Sequence, residues 1–230
     1  FAGSNVFVIG DMAEEEALDP ETGVPDGYNN STTALPGASV DTGDNRYHGN
    51  YTPCPNGSDY TMGRGEVLVT GGSYFRATYG NFWIINGSLT VEGEGTVADI
   101  GLPGYGYRFW MGTGCANTES NMYVKNGAEA TIYMSQMYMG YGDNSSALLE
   151  VDNASLTIAG GSGTQFVIGY SAKNQGSAIV NVINGGSFNI GSESTIVGDD
   201  SNSGKVDSQI NVDQNSSLSA DYVTLYKGAK

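Results

Sequence analysis

Four apolar triplets in this chain each run into a glycine: Phe7-Val8-Ile9-Gly10, Phe109-Trp110-Met111-Gly112, Met137-Tyr138-Met139-Gly140 and Phe166-Val167-Ile168-Gly169. A near-copy, Thr195-Ile196-Val197-Gly198, begins with threonine, and the last four glycines lie 28, 29 and 29 residues apart. A fixed period of this size is the signature of stacked structural repeats. Between the glycines an alternating strand enters a small-residue turn and leaves as another strand, as in Val151–Ile158, Val182–Ile190 and Val212–Leu218. The pattern predicts an all-β fold, a parallel β-solenoid in which one side of each strand faces inward and the other faces solvent.

With the glycine and the small-residue turn as landmarks, residues 1–230 divide into about six and a half rungs of a single domain. The clearest are Phe109–Ile132, Met137–Ile158, Phe166–Ile190 and Thr195–Ala220. Phe82–Asp99 is a compressed rung, and Asp221–Leu225 is a closing half rung. Glycine and Asn-Gly pairs supply the positive φ that tight corners require. Equivalent residues stack about 4.8 Å apart, giving a rod roughly 30 Å long with a core of Val, Ile, Leu, Met and Phe.

The loop after Gly10 swells into Asp11–Arg64, which holds five of the six prolines and the acidic run Glu14-Glu15-Glu16. It lacks sustained periodicity and reads as one large loop insertion projecting from the first rung, with a short helix expected at Met12–Leu18. Cys54 lies in this loop, and Cys115 lies just after Gly112 at the equivalent corner two rungs away. That gap is about 10 Å, so a Cys54–Cys115 disulfide pinning the insertion to the rod is expected in an oxidising compartment. Two free thiols are the alternative.

Acids outnumber bases 25 to 9, for a formal charge of −16 and a pI near 4.1. Nucleic-acid phosphates and anionic membranes need a basic patch that nine Lys and Arg do not supply, so neither is an expected partner. No apolar run is long enough to span a bilayer as a helix. The hydrated acidic surface, and an opening Phe-Ala-Gly without methionine, point to an exported chain whose signal has been removed.

The repeated pattern of apolar-x-apolar-Gly, a short Gly/Ser/Asn loop, an alternating strand and Gly-Gly-Ser-Phe resembles the β-solenoid repeats of autotransporter (type V secretion) passenger domains. Related exported surface proteins of the PEP-CTERM type share it. The resemblance covers everything except Asp11–Arg64 and implies an extracellular structural or adhesive role.

Some β-helices are polysaccharide lyases or hydrolases, which cluster carboxylates with a general acid or base on one face. Here Asp199-Asp200 sits in a corner loop and His48 lies in the insertion without a repeated partner, so no catalytic residue is assigned. Asp199-Asp200-Ser201-Asn202-Ser203-Gly204 has the oxygen spacing that begins a calcium loop but lacks the terminal bidentate glutamate. The solvated-turn reading is preferred there, and no cofactor or metal site is assigned. Tyr74, Tyr79, Tyr105, Tyr107, Tyr133, Tyr138 and Tyr141 offer either a glycan-stacking face or rung-to-rung stacking. Eight Asn-x-Ser/Thr sequons, at Asn29, Asn30, Asn50, Asn56, Asn86, Asn144, Asn153 and Asn215, mostly coincide with turns that favour asparagine anyway.

A solenoid without polar caps exposes strand edges at both ends. Here Val6, Phe7, Val8 and Ile9 form the first strand, and Tyr222, Val223, Thr224 and Leu225 form the last. The expected function is a non-enzymatic subunit of an extracellular filament, sheath or surface layer that self-associates end to end into a homopolymer. The alternative is an adhesin or carbohydrate-binding rod.

Overall fold

In the computed structural model each strand pairs in parallel with the strand one coil away, not with its neighbour in the chain. The structure describes residues 6–9, 32–34, 39–41, 65–77, 81–112, 118–140, 144–160, 163–169, 176–191, 193–198, 206–226 and 229–230. Layer one holds β1 (Val6–Ile9), β2 (Thr32–Ala34) and β3 (Ser39–Asp41). Layer two holds β4 (Gly65–Thr70), β5 (Tyr74–Ala77) and β6 (Asn81–Ile84), and layer three β7 (Gly87–Glu92), β8 (Val97–Gly101) and β9 (Arg108–Met111). Layer four holds β10 (Glu119–Lys125), β11 (Glu129–Tyr133) and β12 (Gln136–Met139), and layer five β13 (Ser146–Asp152), β14 (Ser155–Ile158) and β15 (Gln165–Ile168). Layer six holds β16 (Gly176–Ile183), β17 (Ser187–Ile190) and β18 (Ser194–Val197), and layer seven β19 (Val206–Val212), β20 (Ser217–Ala220) and β21 (Val223–Leu225).

These strands form three sheets of seven among the described residues, with orders β1-β6-β9-β12-β15-β18-β21, β2-β4-β7-β10-β13-β16-β19 and β3-β5-β8-β11-β14-β17-β20. The parallel β-solenoid read from the repeats is the fold. The count becomes seven layers because two strands lie inside Asp11–Arg64: β2 pairs with Val67–Val69, and β3 with Tyr74–Arg76. The segment is therefore not a non-repeat insertion throughout, and it belongs partly to the rod. Each of these strands is only three residues long, too short to display a period. The winding is irregular here, because β1 precedes β2 and β3 in the chain yet takes the place beside β6 that a strand after β3 would fill. Gly10, the expected helix at Met12–Leu18, both cysteines and Asp199–Gly204 lie outside the described residues.

Register explains the core. In the second sheet Val69, Val91, Val124, Val151, Val182 and Val212 stand in one column, each one layer from the next. In the first sheet the column Phe82, Phe109, Met137, Phe166 carries the bulk, with the Phe82 and Phe109 rings stacked at 5.1 Å and 10°. The third sheet adds Ile100, Ile132, Ile158 and Ile190, all buried. Like residues stack because a branched side chain fits the 4.8 Å spacing of its own copy one strand away.

Both corner signals keep their predicted roles. The described landmark glycines, Gly112, Gly140, Gly169 and Gly198, are left-handed, and at Gly140 (φ 71°) an added Cβ would stand 3.2 Å from Ala178 Cβ. At the corner between second and third sheets Asn126, Asn153 and Asn184 hold φ of 57°, 48° and 53°, a conformation asparagine tolerates better than other non-glycine residues. Gly140→Ala is expected to cost about 1–3 kcal/mol from backbone strain and crowding. Gly106→Ala, with only Ser135 Oγ at 3.9 Å and no positive φ, is the near-neutral control. Phe109→Ala is expected to cost about 3–5 kcal/mol and lower Tm by roughly 10 °C, read by calorimetry.

Candidate functional site

The stacking that buries layers two to six leaves layer seven with no layer above it among the described residues. Alternation continues, but its inward positions are no longer covered. Ile210, Leu218 and Ala220 are only half-buried, while Val212 is 43%, Val223 48% and Leu225 69% exposed. Tyr222 and Tyr226 flank β21, with Tyr222 70% exposed. Of the expected edge residues, Val223–Leu225 form the exposed strand β21, and Tyr222 immediately precedes it. Val6–Ile9 occupy the opposite terminal position of the same sheet.

One part of this end is occupied. Ala229 forms a parallel bridge with Ser208, Lys230 N–H donates to the Ser208 carbonyl (2.9 Å), and Ile210 N–H donates to the Lys230 carbonyl (3.2 Å). Lys230 Nζ lies 2.9 Å from Asp207 Oδ1, and this contact first, with the Gln209 amide, holds the Asp207 carboxyl below its ordinary range. Beneath the bridge Ser208 is fully buried, and its Oγ has no hydrogen-bond partner. The β20 and β21 edges carry no such pairing among the described residues. The tail was not anticipated from sequence, since Ala229-Lys230 is too short to show any period.

Polar ladders tie the corner of layer seven to layer six. Asp213 accepts from Asn184 N–H through Oδ2 (2.7 Å) and from Asn215 N–H through Oδ1 (3.0 Å), and Gly185 N–H donates to Ser216 Oγ (3.1 Å). On the outer face of the second sheet Asn211 donates to Asn181 and Asn181 to Glu150. The Asp213 carboxyl is held below its ordinary value of 3.8, first by the Ser216 hydroxyl and then by the Asn184 N–H.

The outer face of the first sheet is apolar. Trp83, in the middle of Phe82-Trp83-Ile84, and Tyr138 and Val167, the middle residues of their triplets, are buried although they point away from the axis. Trp83 stacks on Trp110 at 5.2 Å and 6°, Trp110 on Tyr138 at 6.0 Å, and the Arg108 guanidinium sits 5.4 Å from the Trp110 ring. Sequence reasoning passed over the tryptophans. The signal was a triplet apolar at all three positions, which a half-solvated strand does not need. For Tyr138 the rung-stacking reading holds. Tyr74 donates to Asp99 (2.7 Å), and only Tyr105, stacked on Tyr107 at 5.5 Å, stands well exposed at 53% among the described tyrosines of that group. Tyr79 and Tyr141 lie outside the described residues, as do Asn29, Asn30, Asn50 and Asn56. Asn144, Asn153 and Asn215 are exposed, whereas Asn86 is half-buried and accepts from Glu119 N–H. Among the described residues no group of three or more His, Cys, Asp or Glu side chains is placed to hold a metal ion. No helix among them is long and apolar enough to cross a membrane.

No protein-family model matches the chain, no curated protein matches it, and no solved structure does.

The bonds to Asp213 favour its ionised form. Their stabilisation is present above the ordinary carboxylate value and lost as pH falls through the depressed one. Asp213→Asn should lower Tm at neutral pH, and the gap to the parent should close as pH falls below 3.8.

Proposed function

We infer that this chain is a non-catalytic structural subunit of an extracellular filament, sheath or surface layer, built by stacking one copy's layer one on another's layer seven. The observation that carries this reading is layer seven, whose apolar residues are exposed and whose β20 and β21 edges carry no further strand among the described residues. An apolar patch at an unprotected sheet edge is what natural solenoids cap when they work alone.

Register supports a second copy as the occupant. Followed through the ladders, Phe7 shares a column with Val223, and Ile9 with Leu225. Ala34 shares one with Val212. Val40 shares one with Leu218. A head-to-tail copy therefore continues three parallel sheets and sets apolar positions over the exposed Val212, Val223 and Leu225 and the half-buried Leu218. Such a contact does not close on itself and generates a filament. The extracellular placement rests on the acidic surface and on the resemblance to exported β-solenoid repeats. Tyr105 favours a second reading, a carbohydrate-binding rod, because one face of an exposed stacked ring can meet a sugar. Glycan binding abolished by Tyr105→Ala would support it.

Sedimentation and negative-stain microscopy over a concentration series test the assembly. The expected result is rods that lengthen with concentration and with added salt, which screens repulsion between copies of charge −16. Leu225→Asp should hold the protein monomeric with its fold intact. A monomer at every concentration and ionic strength rejects the reading.

A further inference from the structure

The acidic residues of this chain avoid the strands of one sheet. None of the seven strands of the first sheet holds an Asp or Glu, although acids outnumber bases 25 to 9 in the chain. That sheet carries one of the four basic residues described, Arg108 at the start of β9. Of the other three, Lys125 faces Glu92 (3.3 Å), Lys230 faces Asp207, and Arg76 stands beside Asp99 in register. Arg108 is exposed and has no carboxylate within ion-pair distance among the described residues. Its N–H donates to Asn81 Oδ1 (3.0 Å) and its guanidinium lies over the Trp110 ring, which positions the charged group before any partner arrives.

Beside Arg108 the chain departs from the corner used in the next layer. Between the third and first sheets layer four needs only Met134 and Ser135, whereas layer three runs through residues 102–107. The longer loop is closed on itself and anchored. Tyr105 N–H donates to the Leu102 carbonyl (3.3 Å), Gly104 is left-handed (φ 81°), and Ser135 donates its N–H (2.9 Å) and its hydroxyl (3.0 Å) to the Tyr107 carbonyl. Tyr107 packs against the core, and Tyr105 stacks on it with 53% of its own surface exposed. Tyr105 and Arg108 are three residues apart, so their Cα atoms lie within about 11 Å. From Arg108 the column continues through Gln136 and Gln165, half-buried and without a side-chain hydrogen bond among the described residues.

We propose that Tyr105, Arg108, Gln136 and Gln165 bind a carboxylate-bearing saccharide, a uronate-containing glycan laid along the rod. This rests on the carbohydrate-binding reading above and names its ligand, and it is independent of end-to-end stacking. The free face of the Tyr105 ring meets the C–H face of a sugar. The Arg108 guanidinium, a planar fork of donors, takes the carboxylate. Gln136 and Gln165, one layer apart at about 4.8 Å, offer amides to the hydroxyls of the following units. Strands free of Asp and Glu keep the protein's own carboxylates from repelling the incoming one at close range. A densely charged polyphosphate fits poorly, because one arginine supplies a single counter-charge and Tyr105 has no role in holding it.

Titration calorimetry of the 230-residue chain tests this, with oligogalacturonate and oligomannuronate as probes and the carboxyl-reduced form of each beside them. The expected result is that one of the acidic oligosaccharides binds about tenfold more tightly than its reduced form. Arg108→Gln should remove that preference and leave the two forms bound equally, while Arg108→Lys should keep part of it. Tyr105→Ala should weaken binding of both forms about three- to tenfold. Equal binding of the acidic and reduced forms by the parent, lost in Tyr105→Ala, overturns the acidic ligand and leaves carbohydrate binding in place. A preference that survives Arg108→Gln overturns the role given to Arg108. No binding of any of the four oligosaccharides overturns both the ligand and the carbohydrate reading beneath it. The comparison of the two forms on the parent needs no variant, so it decides the ligand even if a substitution disturbs the fold.

Discussion

Everything in this rod depends on parallel strands held in register one layer apart. A strand that slipped by one residue would turn its Val and Phe columns to solvent and its Thr, Asn and Glu positions into the core. The columns prevent that slip. Six valines in line in the second sheet, and Phe, Met and Phe in line in the first, keep apolar side chains against apolar side chains one layer away only in this register. Left-handed glycines after the triplets and left-handed asparagines at the next corner keep the turns tight enough to hold that spacing.

A structure built this way has no natural end. Each interior layer is covered on both sides, so its apolar residues are buried without any contact far away in sequence beyond the adjacent coil. Layer seven obeys the same rules with a neighbour on one side only among the described residues, and there Leu225 is exposed while Val197, in the same column, is buried. The exposed apolar patch follows from the repeat itself and needs no separate motif. A filament subunit follows from the same logic, since the surface that accepts the next layer is the surface every layer presents.

Much of this was legible in the chain. The triplet-glycine period located the first sheet, and the small-residue turns located the corner between the other two. What the period could not reveal was anything too short to repeat. β2 and β3 have one apolar residue each at a core column, and they lay hidden in a segment rich in proline and acid. The pairing of Ala229-Lys230 was invisible for the same reason. The Trp83–Trp110–Tyr138 stack was legible in principle, because an apolar residue in the outward middle of a triplet is more than a half-solvated strand needs.

Amide hydrogen exchange at low and high protein concentration tests the account most directly. In dilute protein, β20 and β21 should exchange fastest among the strands of layers three to seven, with β10 and β13 slowest. On concentration, protection should rise in β20, β21 and Ile210–Val212 while the interior layers stay unchanged. Protection of layer seven equal to that of the interior in dilute solution, or no change in it on concentration, would contradict the claim that this end is an open template for a further layer.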